Sequence, residues 1–212
     1  MKKLLDFYLG LAFIFLFISC NNSPSSDSVK NAKDSNAAKI ESRKGAESPG
    51  DSLAAVPSKA DADFLVNAAS RGMMDVQLGQ LAQSHSTNQG VKAFGTMMIK
   101  DHGEGSITLK DLAAAKRVTL PATVSNRQQK VIDNLQKKKG AEFDKTYIRI
   151  MVSNHKKDIN EFEKEGKKGA DPQVMTFANN SLAMLRKHRD SAIALQKLLG
   201  INDIMETAPL IK

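Results

Sequence analysis

Three of the four histidines in this chain sit in the same local surroundings. His102, His155 and His188 each follow a methionine by four residues (Met98, Met151, Met184) and precede a large apolar residue by seven (Leu109, Phe162, Leu195). Residues spaced by four and seven share one face of an α-helix, so each imidazole belongs to an apolar, inward stripe. Each also lies about fourteen to sixteen residues into its helix, or roughly 21 to 24 Å along the axis at 1.5 Å per residue. Helices of equal length packed side by side bring their midpoints together, which predicts that the three rings meet. The midpoint of the first long helix falls at Met74 and Asp75, and Asp75 is the candidate for a fourth ligand.

Imidazoles with a carboxylate suit zinc, iron or copper, and thioethers from Met98, Met151 and Met184 would favour copper(I). A plainer reading stands beside this one, in which core histidines are hydrogen-bonded packing residues and methionine at helical spacing fills the core. The di-iron signature of ferritin-like bundles needs Glu three residues before His. Ile99, Val152 and Leu185 occupy those positions here, which argues against a di-iron enzyme of that type. No catalytic residue is assigned, because no acid, base or nucleophile constellation appears. Gly103, Gly105 and Ser106 beside His102 weaken the helix, each Gly by about 1 kcal/mol relative to Ala, as if something there needs room. His85, at a helix end, reads as a surface residue.

The elements that position these residues follow from periodicity. Apolar residues at three- and four-residue intervals predict long helices over 61–86, 89–117, 141–168 and 172–199, with Asp61 as the first N-cap. Ser125 caps a shorter helix to about Lys138, and Asp171 followed by Pro172 starts the last one. Four segments of similar length predict an all-α, up-down-up-down four-helix bundle over 61–200, with one short bridging helix. Low aromatic content of 5% and the absence of Trp agree with an all-α class.

Ahead of the bundle, Lys2 and Lys3 precede an apolar run from Phe7 to Ile18 that is laid out as a signal peptide, ending in Phe17, Ile18, Ser19 and Cys20. That ending resembles a lipobox, which implies removal of residues 1–19 and lipidation of Cys20. An ordinary secretory signal or an uncleaved anchor is the alternative. Cys20 is the sole cysteine, so no intramolecular disulfide or Cys-based cluster can form. Residues 20–60 are rich in Ser, Ala, Lys, Asp and Asn and read as a disordered tether, spanning on the order of 35 Å. Residues 201–212 read as a loosely held tail.

The segments Phe64 to Ala82, with Gly72 to Gly79 at its centre, Lys92 to Leu112 with Asp101 and His102, and Tyr147 to Leu195 resemble domain-of-unknown-function family 4142. That resemblance implies a ferritin-like shape, an exported bacterial protein and no settled activity. His102, His155 and His188 match the family's histidine positions. The family tends to carry Glu where this chain has Asp75 and Gln77.

The expected protein is therefore a lipoprotein held to a bacterial membrane, its domain facing the periplasm or cell exterior. Its bundle binds a transition metal or small ligand at mid-height. The alternative is a non-catalytic envelope module whose basic face, part of a net charge of +8, meets acidic envelope polymers or proteins. A redox enzyme of the same compartment is the third reading, and export makes nucleic acid an unsuitable partner.

Overall fold

The structure is a computed structural model that describes residues 27–44 and 57–201. Those residues form six helices: α1 (Ser28–Lys44), α2 (Lys59–His85), α3 (Gln89–Ala115), α4 (Asn126–Gln136), α5 (Gly140–Lys168) and α6 (Pro172–Leu198). Among the described residues there is no strand. The expected signal peptide over 1–19, the lipidation site Cys20, tether residues 21–26 and 45–56, and tail residues 202–212 lie outside the described residues.

Most helix boundaries follow local chemistry. Asn88, Ser125 and Asp171 cap α3, α4 and α6, each accepting backbone N–H bonds from the first turn. The cap of α2 differs from expectation. Ser58 is the N-cap, and Asp61 is the third helical residue of a capping box, returning its carboxylate to the Ser58 N–H. Asp61 is buried because it also accepts from the Ala170 and Asp171 N–H groups at 3.0 and 3.1 Å. It thereby fixes the α5–α6 turn to the start of α2. Gly140, which opens α5, has φ of 53°, a left-handed conformation that glycine adopts without a Cβ clash.

The tether reading is overturned over 28–44. That stretch is α1, which packs on α2 and is held by hydrogen bonds that composition does not reveal. The Asn36 side chain donates to the Thr119 carbonyl at 2.9 Å and accepts from its N–H at 2.7 Å. Ser28 Oγ accepts from Ala122 and Thr123, and Asp27 from Asn126. The segment is short of apolar side chains, and long-range polar contacts order it instead.

The helix directions also differ from the up-down-up-down expectation. α2 pairs with α3 and α5 with α6 as antiparallel hairpins, but the hairpins meet with α3 and α5 parallel. Phe94 and Tyr147, early in those two helices, have ring centroids 6.0 Å apart. Phe64, at the start of α2, meets Phe162 near the end of α5 at 4.8 Å and Phe177 near the start of α6 at 6.5 Å. The order is up-down-down-up. Its cause is the connection from Lys116 to Lys139, which does not join neighbouring ends but returns along the length of the molecule, with α4 against α2 and α5. With eleven residues of α4 and the rest extended, it can reach about 60 Å, more than the roughly 40 Å of a long helix.

The core consists of two apolar clusters. One joins Leu78, Phe94, Met98, Leu135, Phe143, Tyr147, Met151 and Ala192. The other joins Phe64, Leu65, Leu109, Ile159, Phe162, Val174, Leu182 and Leu185. Every long helix contributes to both, and in α3, α5 and α6 a buried histidine falls between the two contributions.

Candidate metal centre

The three histidines converge at that division. His102 on α3, His155 on α5 and His188 on α6 are buried, with ring centroids 5.6, 5.2 and 5.3 Å apart. One potential ligand atom from each lies within 4.8 Å of the others. The register that matches Phe94, Met98 and His102 to Tyr147, Met151 and His155 places equivalent residues at equal height because α3 and α5 are parallel.

Hydrogen bonds fix which nitrogen of two rings faces inward. His155 Nδ1 lies 3.0 Å from the Met151 carbonyl. A carbonyl only accepts, so Nδ1 carries the proton and Nε2 keeps its lone pair. His188 Nε2 lies 2.9 Å from Asp101 Oδ2, which leaves the lone pair on Nδ1. His155 Nε2, His188 Nδ1 and His102 Nε2 are buried with no hydrogen-bond partner. Asp101 behaves toward His188 as the outer carboxylate of a carboxylate–histidine–metal arrangement does.

Asp75 on α2 completes the layer. Its Oδ2 is 3.5 Å from His102 Nε2, and neither carboxylate oxygen has a hydrogen-bond partner. Unpartnered buried polar atoms are uncommon, and each calls for a physical reason. Here five gather in one place, all electron-pair donors.

The electrostatics agree. Burial, reinforced by its two histidine neighbours, drives the His102 pKa well below the ordinary imidazole value. Burial and the adjacent His188 bring His155 down to about 4. Burial lowers His188 as well, although Asp101 opposes it. All three rings are therefore neutral near pH 7 and able to coordinate. Burial and then the Asp158 charge raise Asp75 well above the carboxylate range, against the pull of Arg71. The shift favours the protonated form of Asp75 when no cation is present, and metal binding would release that proton.

Several residues around the layer escaped the sequence reading. Asp158, raised to about 6 chiefly by burial, is bound by Arg71, which also reaches Glu161 at 2.6 Å. The Tyr147 hydroxyl is buried without a partner. Helical spacing carried a usable signal for two of them, since Asp158 is three residues after His155 and Arg71 is four before Asp75. For Asp101 the only cue was its place beside His102, on a different face of the helix.

The methionines do not form a set. Met98 and Met151 belong to one apolar cluster and Met184 packs on the other, because α6 runs opposite to α3 and α5. His85 is half-buried and not a surface residue: its Nε2 bonds the Gln136 carbonyl at 3.0 Å, and its ring contacts Phe143. It lies far from the triad.

Fold and site together define an all-helical protein with a buried three-imidazole cluster that could hold a metal ion. Residues 46–195 match the family described as "Domain of unknown function (DUF4142)", and the chain belongs to that family. The match takes in α2 to α5 and most of α6, with every residue of the cluster. No curated protein and no solved structure matches the chain.

Proposed function

We propose that the protein is an envelope lipoprotein whose helical domain binds one transition-metal ion through His102, His155 and His188, with Asp75 as a fourth donor. The observation that carries this reading is the convergence of three neutral, buried imidazoles within 4.8 Å. If the ligand atoms stood at the corners of an equilateral triangle of that side, each would be about 2.8 Å from its centre. Shifts of under about 1 Å would then close them to the 2.0–2.1 Å of a metal–imidazole bond. Three nitrogens and one oxygen suit zinc, iron or copper(II) better than copper(I).

Four long helices joined by a single long crossover correspond to a ferritin-like bundle, but the donor set differs from the carboxylate-rich di-iron type. Attachment to a membrane through Cys20 rests on the signal-like run and the lipobox-like ending, and places the domain outside the cytoplasm.

Metal content of the purified protein, beside His102→Ala, His155→Ala, His188→Ala, tests the site. Near one equivalent in the wild type and none in the triple variant is expected, and equal content in both would remove the proposal. The anchor predicts globomycin-sensitive processing and loss of membrane retention in Cys20→Ala.

A further inference from the structure

Beside His102 lies a cavity of about 50 Å³, bordered by Gly72 of α2, Gly105 and Ser106 of α3, Asp158 of α5, and Ser181 and Met184 of α6. A cavity needs only about 10–15 Å³ to admit a water molecule. Outside it, between α3 and α6, is a solvent-facing cleft of about 560 Å³ that includes Asp101 and Glu104. The two spaces share Gly105, Phe177, Ser181 and Met184 as a common wall.

Gly105 on this wall and Gly72 on the α2 side of the inner cavity have no packing or backbone reason to be glycine. A Cβ built on Gly72 or Gly105 meets nothing within 4 Å, and neither residue has a positive φ. Each costs its helix about 1 kcal/mol relative to Ala. Gly79 and Gly95 are different, because a Cβ there would strike the facing helix at 2.7 and 2.8 Å. What Gly72 and Gly105 do is leave space next to a buried imidazole whose Nε2 has no partner.

Resting on the metal reading above, we propose that the bound ion keeps an open coordination position on the His102 side. It is reached from solvent through the α3–α6 cleft, and it takes a small monodentate ligand, either water or a small anion. Beside four protein donors this is a fifth position, a coordination number that zinc sites with an exchangeable ligand can reach. An ion held by three neutral imidazoles and one carboxylate retains net positive charge, which favours an anion. The 50 Å³ cavity limits that anion to a few atoms.

The test uses Co²⁺ as a spectroscopic substitute and sodium azide as the probe. Azide is expected to shift the visible spectrum of the Co²⁺-loaded wild type saturably, while benzoate, of equal charge but too large for the cavity, leaves it unchanged. Gly105→Leu fills the passage and, independently, Gly72→Leu fills the inner cavity; each should keep its Co²⁺ affinity and lose azide affinity by at least about tenfold. A Co²⁺ spectrum indifferent to azide, an equal response to benzoate, or unchanged azide affinity in a folded Leu variant overturns the open position. Failure of the metal reading is distinct: Co²⁺ would then bind the wild type no better than the triple alanine variant.

Discussion

At the level of single residues, Asp101 and Asp171 show two uses of a carboxylate. Asp101 accepts the His188 Nε2–H and so aims the Nδ1 lone pair inward. Removing such an outer partner commonly weakens a metal site by about 10–100-fold. Asp101→Ala is expected to lower zinc affinity by that factor and to cost about 0.5–1.5 kcal/mol of metal-free stability through the lost hydrogen bond, as competition with a chromophoric chelator and urea unfolding would show. Unchanged affinity would mean that the ring is held by packing alone. Asp171 pairs with buried Lys116 at 2.6 Å and caps α6. Burial works to raise its pKa, but Lys116 and the Gln173 and Val174 N–H groups prevail and hold it below 3.8. A depressed carboxylate stabilises the fold above its unfolded pKa and loses that contribution as pH falls through the folded value. Asp171→Asn keeps the cap and loses the ion pair, at a cost of roughly 1.5–3 kcal/mol at pH 7. Wild-type and variant unfolding curves should converge on acidification below 3.8; a constant gap down to pH 2 would contradict the assignment.

At the level of helices, the glycines divide by what stands opposite them. Gly79 and Gly95 bring α2 and α3 into backbone contact: a Cβ on Gly79 would lie 2.7 Å from the Gly95 carbonyl oxygen. Gly79→Ala therefore gains about 1 kcal/mol of helix propensity but forces the helices apart at an overpacking cost of about 1–3, a net loss of up to about 2 kcal/mol. Gly103 faces open space, so Gly103→Ala should stabilise by about 0.5–1 kcal/mol. Chemical denaturation of the two variants checks the opposite signs. The sequence alone marked Gly103 and Gly105 as weak points in α3 but could not separate them from Gly79, since open and close-packed glycines differ only in their tertiary neighbours. The same limit explains the helix order. Periodicity located the four long helices, and Ser125 and Asp171 announced the starts of α4 and α6, because those signals are local. Whether the segment from 116 to 139 returned along the molecule depended on its contacts with α1, through Asn36 and Thr119, and on burial of Ile132 and Leu135. The matched His spacing survived that error, since mid-helix residues meet whichever way the helices run.

For the molecule as a whole, the histidine layer separates two apolar clusters, and it sets binding against stability. With no ion bound, the layer holds unpartnered nitrogens and an unpartnered carboxyl group in the interior, each costing about 1–3 kcal/mol of lost solvation. Apolar replacement of a buried polar cluster of similar volume is often neutral or stabilising by 1–4 kcal/mol. The combined variant His102→Leu, His155→Leu, His188→Leu is therefore expected to be more stable than the wild type in chelator, by about that amount. Zinc should reverse the order. A ligand that binds only the folded state at a hundred times its Kd adds about 2.7 kcal/mol, and the leucine variant has no imidazole left in that layer with which to respond. Urea unfolding of both proteins, with chelator and with excess zinc, separates this account from the one in which the histidines only pack. If packing were their role, leucine would cost stability under both conditions, through loss of the Met151 and Asp101 hydrogen bonds, and zinc would move neither curve.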